Sequence, residues 1–451
     1  MPLPSGMSVG DASAIRALCA WASRAARDAD LPARILAKAA RISADNVACA
    51  IAASFDPVAD SLHRRVAAVG GESRLWTAEP LCADRRNAAR INAIRSNWAQ
   101  LDEGHSDVMC HAGLYTVSPA LAEAQAEGLG LHAALTAIAL GYEITCRTAL
   151  ALRFDSGVPH PHAAWSAYGS AATLAALRKY GPDEWERCLG AAAAMAMAAP
   201  FDLARKGHEV IDLSAGVGVA AGFDCADAAA QGFGADAAGM LATYRGILGA
   251  RFHAAPLLDG LGRSWLIERG YHKQHACARQ AHAAVEALLA LRARVLEAGI
   301  RPGSVRSIRL EVSPLALLLN DPEPSTVLGA RFSLPHVAAV TWIQGDAGVS
   351  AFSAASLCDP AVAALRANVS LECAEEDGSR GAHGALAELV FEDGTSFSQR
   401  CDRVSGGPEL PFTTADLMLK CKTLSGGALA PLFAALLESN GDDDPLAPIP
   451  L

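Results

Sequence analysis

The stretch SPALAEAQAEGLGLHAALTAIALGYEITCRTALAL, residues 118–152, decides the architecture. Its apolar residues recur at helical spacing on both sides of Gly128-Leu129-Gly130, which predicts two helices broken at the glycines. Alanine fills both segments, and small side chains let helices approach closely and stack in layers. The same texture runs outward from about Asp11 to Ala250. Asp11-Ala12-Ser13-Ala14 opens one helix with a capping-type residue, Ala40 to Ala53 gives another, and loops are expected at Ser156 to Pro161 and Gly232 to Gly234.

After about Tyr271 the pattern changes. Ala283 to Ala298 is one more helix, but Val305 to Val312 alternates with period two, and Asn368 to Cys373 and Ala385 to Phe391 also read as strands. Asp393-Gly394, between Phe391 and Phe397, is a hairpin signal because that pair tolerates the positive φ angles of tight turns. Helix returns at Thr413 to Asp416 and at Leu429 to Glu438, and the acidic, proline-rich tail from Asn440 reads as frayed. The chain is therefore predicted to be mainly α. A large all-helical domain is expected from residues 1–270 and 408–451, with a smaller inserted α+β domain at 271–407.

Composition narrows the function. With 451 residues, 51% hydrophobic and 19% charged, the chain is a packed globular protein long enough for two cores. A net charge of −10 argues against nucleic acid and anionic membrane surfaces as partners. The twelve cysteines form no CxxC pair and no basic-then-apolar leader precedes them, so reduced thiols in the cytoplasm are expected. The longest bland apolar run, Leu189 to Pro200, is too short to cross a bilayer.

Leu101-Asp102-Glu103-Gly104-His105-Ser106-Asp107, with His111 close behind, packs carboxylates, imidazoles and a hydroxyl into eleven residues. Such a set suits removal of a proton beside a carboxylate, although a polar helix end facing water would carry similar residues. His160-Pro161-His162 is expected in a stiffened loop ahead of a helix. Tyr271 to His282 adds Lys273, Arg279 and three histidines at the change of texture, a preferred place for a cleft whose cations could hold substrate carboxylates. No HExxH and no paired cysteines support a metal. Glu209 to Leu213 followed by Gly216-Val217-Gly218-Val219-Ala220-Ala221 imitates a strand and dinucleotide loop, but no alternating strand and helix texture surrounds it. Close helix packing accounts better for those glycines, and no cofactor is expected.

These landmarks, in this order, resemble the MmgE/PrpD family, which includes 2-methylcitrate dehydratase, cis-aconitate decarboxylase and iminodisuccinate epimerase. The likeness spans nearly the whole chain. It runs through Asn87 to Ala93 and Leu101-Asp102, then Gly141-Tyr142-Glu143-Ile144 with Arg147, and His160-Pro161 through Ala172. It continues with Gly222 to Phe233, Lys273 to His282, and Arg331-Phe332-Ser333-Leu334-Pro335-His336. Asp102 matches the aspartate of the family's LD-x-DD-T motif and Ser106 stands at its threonine. His111 matches a following histidine once one residue is skipped, His160 the histidine of the HP loop, and Lys273 the lysine that opens the second domain's contribution. The chain departs from the pattern elsewhere. Gly104-His105 replaces the paired aspartates, Ile211 takes the place of a lysine with Lys206 the nearest substitute, Ala278 replaces a histidine of some members, and His336 replaces a tyrosine.

The resemblance implies an active site between the two domains, a homodimer, and proton transfer beside a carboxylate of a small di- or tricarboxylate, with no cofactor. On that basis His111 and His160 are the expected acid/base pair, with Asp102 orienting one imidazole. Lys273 and Arg279 would hold substrate carboxylates, while Ser106 and His336 would donate hydrogen bonds. A lyase of dehydratase or decarboxylase type is the first expectation. An epimerase, which needs two bases on opposite faces of one carbon, competes because His105 and His336 are added imidazoles. A member that has lost catalysis is the third.

Overall fold

The computed structural model describes residues 9–154, 159–374 and 384–438, and it is mainly helical. The expected loop start at Ser156 and the tail from Asn440 lie outside the described residues. Helices Ala112–Ala126 and Leu131–Ala151 pack on one another and flank Gly128, whose φ of +64° makes the break between them. All twelve cysteines are free. No described helix is long and apolar enough to cross a membrane.

The helix Pro161–Leu177 is buried along its entire length, as a helix without a polar face must be. It packs against Ala112–Ala126, Leu131–Ala151 and, most extensively, Val210–Ala230. The dinucleotide-like glycines lie inside this last helix, not on a strand-to-helix turn. A Cβ on Gly216 would come within 2.5 Å of the Arg90 carbonyl, and one on Gly222 within 2.4 Å of the Ser170 side chain. A Cβ on Gly218 would fall 1.7 Å from Ser166 Oγ, whose hydroxyl bonds the His162 carbonyl at 2.6 Å, and 2.9 Å from the Ala167 nitrogen. Gly218→Ala is therefore expected to destabilise the protein by about 1–3 kcal/mol through overpacking, read as a lower urea midpoint with an unchanged slope.

Besides short two-stranded ladders, the described strands form a four-stranded sheet in the order Ser396–Cys401, Ala385–Phe391, Val305–Val312, Val369–Cys373. The first two neighbouring pairs are antiparallel and the last is parallel. Gly394, with a φ of +86°, closes the hairpin. Helix His282–Glu297 packs on the hairpin strands and on helix Leu334–Gln344.

The last helices return to the beginning of the chain. Thr413 and Asp416 exchange a reciprocal pair of bonds at the start of helix Thr414–Ser425, satisfying two amides that a helix start would leave open. This helix and Ala430–Glu438 both pack on helix Ala33–Ala52. A two-residue antiparallel ladder, Gly104–His105 with Gly270–Tyr271, then ties the acidic turn after residue 101 to the segment that carries Lys273.

Candidate functional site

A cavity of about 220 Å³ opens where that ladder meets the start of helix Pro161–Leu177. His111, His160, Lys273, Ser106 and Arg279 all line it, although they come from separate stretches of sequence. Asp102 lies directly behind. Its Oδ2 is 2.7 Å from His111 Nδ1, and its Oδ1 is 3.8 Å from the Lys273 ammonium.

Charge fixes the state of the Asp102–His111 pair. Burial opposes ionisation of Asp102, but His111 and Lys273 outweigh it and hold the carboxyl below its ordinary range. An ionised Asp102 only accepts hydrogen bonds, so His111 Nδ1 carries a proton and Nε2 is the ring nitrogen left facing away from the carboxylate. Burial also lowers the Lys273 pKa, with Asp102 opposing the change. Its ammonium donates to the Gln100 carbonyl at 2.9 Å.

His160 has the complementary tautomer. The expected loop ends one residue earlier than the sequence suggests: Pro161 is the first helical residue, where its missing N–H costs nothing, and His160 is the cap. His160 Nδ1 accepts the His162 backbone N–H at 3.3 Å, which leaves the proton on Nε2. Burial pushes the His160 pKa down to about 3, so the ring is neutral across the physiological range. The site therefore presents one imidazole held by a carboxylate at Nδ1 and another as a neutral hydrogen-bond donor.

Sequence reasoning passed over His162 and Tyr115. The His162 ring lies 4.5 Å from that of His160 and 5.0 Å from that of His111, and its Nδ1 is 2.7 Å from the Tyr115 hydroxyl. The signal was present in the His-Pro-His spelling, since a proline at the first helical position puts both histidines in the opening turn. Tyr115 is 47 residues away and no local pattern points to it. Phe201 and Phe332, also unanticipated, make an apolar wall: Phe201 stacks on His160 at 5.3 Å and meets Phe332 edge-on at 6.2 Å.

The residues that depart from the family pattern fall as follows. Gly104 is a steric necessity, since a Cβ there would sit 2.4 Å from the Tyr271 hydroxyl. His105 lines the cavity, yet both ring nitrogens are engaged: Nε2 donates to the Leu266 carbonyl at 3.0 Å and Nδ1 accepts the Asp107 N–H at 3.1 Å. Lys206 is exposed and paired with Asp202 at 2.7 Å, and Ile211 is buried in the core. His336 is a correction. It was expected to donate to substrate, but it is fully buried in helix Leu334–Gln344, its Nδ1 3.1 Å from Arg366, and it does not line the cavity. The proline at the helix start and the packing of Phe352 against the ring direct it into the core.

Arg279 lies 4.5 Å from the centre of the Tyr271 ring and bonds the Ser405 carbonyl at 3.5 Å, which fixes its guanidinium at the cavity edge. Asp107, the one carboxylate among the lining residues, is forked onto Arg269. The cavity is thus positive on balance, and it suits a small anion better than a neutral or cationic ligand.

Among curated proteins none is similar enough to match the chain. The model of the MmgE/PrpD N-terminal domain matches residues 16–257 and that of the MmgE/PrpD C-terminal domain matches residues 275–432. The chain belongs to the MmgE/PrpD family, whose members are generally enzymes of dehydratase, lyase or related type.

Proposed function

We propose that this protein is a cofactor-independent lyase acting by proton transfer beside a carboxylate of a small di- or tricarboxylate. The observation that carries the proposal is the pairing of opposite tautomers across one small cavity: a basic Nε2 on His111 backed by Asp102, and a proton-bearing Nε2 on His160. Arg279 and Lys273 hold substrate carboxylates, and Ser106 adds a hydroxyl donor. His111 removes the proton, and Asp102 stabilises the imidazolium that results. Lys273 and the His160 N–H meet the negative charge that develops on the carboxylate oxygens. In a dehydration the neighbouring C–O bond then breaks, and the departing hydroxide takes a proton back from His111 and leaves as water.

An epimerase would need a second base facing the first across the carbon. The two imidazoles that made this attractive are not placed for such a role, because His105 has both nitrogens bonded and His336 is outside the cavity. The remaining histidines, His160 and His162, cluster with His111 instead of opposing it. This grouping favours one-base elimination.

Incubation of the pure protein with a panel of polycarboxylates in deuterated water tests the proposal. Formation of an alkene or carbon dioxide is expected. Deuterium uptake with no net conversion would indicate an isomerase, and complete silence a non-catalytic member. With an active substrate in hand, Arg279→Leu is expected to lower kcat/KM by about 10- to 100-fold, mainly through KM, as loss of a charge-assisted carboxylate bond should. An effect confined to kcat would move Arg279 from binding to chemistry.

A further inference from the structure

A second group of buried charges lies immediately behind the site. Asp45, on helix Ala33–Ala52, has its Oδ2 3.0 Å from His272 Nδ1 and its Oδ1 2.5 Å from the Lys420 ammonium. Lys420 comes from helix Thr414–Ser425 near the other end of the chain and donates to the Leu101 carbonyl at 2.9 Å. Leu101 directly precedes Asp102, and His272 directly precedes Lys273. Asp45 therefore holds the neighbour of one site residue, and through Lys420 the neighbour of another.

The backbone at this point needs holding. Helix Arg85–Trp98 ends just before it, and a helix C-terminus leaves carbonyls without partners. Three buried cations take up carbonyls there: Arg331 that of Trp98 at 2.6 Å, Lys273 that of Gln100 at 2.9 Å, and Lys420 that of Leu101 at 2.9 Å. Gln100 itself has a φ of +53°, a left-handed conformation that a non-glycine residue adopts only where its surroundings insist. Cations also suit the negative end of the helix dipole. Burying three of them costs desolvation, which a role in shape alone would not call for.

We propose that Lys420 and Asp45 are positioning residues for catalysis, setting the turn that aims Asp102 at His111. Helix Thr414–Ser425 is thereby part of the active-site support, although none of its residues lines the cavity. The proposal rests on reading Asp102 and His111 as the catalytic pair. It makes Lys420 a determinant of turnover 318 residues away from Asp102 in sequence.

Removing Lys420 alone would leave the Asp45 carboxylate buried beside a neutral imidazole, so the informative variant is Lys420→Met with Asp45→Asn, which deletes both charges together. Its first readout needs no substrate: the ring-nitrogen chemical shifts of His111 in protein labelled with 15N-histidine, assigned by comparison with His111→Gln. The full-length parent should show the Nδ1–H tautomer. The double variant should move toward Nε2–H as Asp102 swings off line. The groups facing His111 in this comparison are Asp102, Lys273, His160 and His162, and none of them is altered.

The second readout is turnover. kcat is expected to fall about 10- to 100-fold with KM within about threefold, the penalty of a misplaced catalytic group, and Lys420→Arg should recover most of it. A double variant with a lower melting temperature but the parental tautomer and kcat would overturn the proposal and leave Lys420 a structural residue. Should the parent convert no polycarboxylate, the proposed function fails, while the tautomer measurement still decides whether Lys420 and Asp45 position Asp102.

Discussion

Replacing His111 by glutamine is expected to lower turnover by about three orders of magnitude and to leave the protein folded. Glutamine keeps much of the volume and can still meet Asp102, but it has no lone pair able to take a proton from carbon, and loss of a positioned base costs about 10²–10⁴-fold. Asp102→Asn should give a loss of similar order for a different reason. The amide has nearly the carboxylate's shape, but its N–H₂ can donate to His111 Nδ1, and that turns the lone pair away from the cavity. His160→Gln keeps a donor near the cavity and is expected to fall only about 10- to 100-fold. The rank order separates base from donor. Rates of product formation in deuterated water, with circular dichroism to confirm the fold, supply the measurement. A His111→Gln protein retaining more than about a tenth of parental activity would remove His111 from the mechanism.

Much of this arrangement was legible in the sequence, and what was not has a physical reason. Val305 to Val312 alternates because one face of that strand is buried, and its observed ends coincide with the alternation. Asp393-Gly394 marked the hairpin because turn chemistry is local. The Gly216 to Ala221 run looked like a nucleotide loop because close backbone approach selects glycine in either setting. Only the partner helix carrying Ser166 and Ser170 distinguishes the two. Asp102, His111, His160 and Lys273 could be named from local spelling and family order. The tautomers could not, since His160's depends on capping its own helix and His111's on a buried carboxylate. His336 failed because a histidine at a family position says nothing about which way helix Leu334–Gln344 turns it. Lys420 was invisible because its partner at the turn is a backbone carbonyl, which leaves no trace in the sequence, and Asp45 because its partners His272 and Lys420 lie far along the chain.

The same burial that sets the site's tautomers should make stability peak near pH 6.5 and collapse on the acid side. Burial pushes the imidazole of His160 down to about 3, and those of His105, His272, His275 and His336 to about 4, against an ordinary value near 6.5. Below pH 6.5 the unfolded chain therefore binds protons that the folded chain refuses. Stability then falls with falling pH by about 1.4 kcal/mol per pH unit for each net proton, until the folded pKa is reached. Glu103 acts in the opposite sense. Burial raises its carboxyl to about 8 despite bonds from the Gly113 N–H and the Tyr142 hydroxyl, so it stays protonated when folded and ionised when unfolded. Between its ordinary value and about 8 it erodes stability as pH rises. Glu143, Asp212 and Glu286, each raised chiefly by burial, share that sign. The imidazoles outnumber these carboxyls below pH 6.5, so a net loss toward acid wins there; above it the imidazoles contribute no slope and the carboxyls dominate. Urea midpoints measured from pH 4.5 to 8 should rise to a maximum near pH 6.5 and then decline gently. His160→Asn retains a good cap while deleting one titrating group, and should flatten the acid limb by about one proton. Glu103→Gln should flatten the alkaline limb and leave the acid limb steep. A midpoint that stays constant from pH 4.5 to 6.5 would mean that these imidazoles take up protons in place, and the neutral His160 donor would go with them.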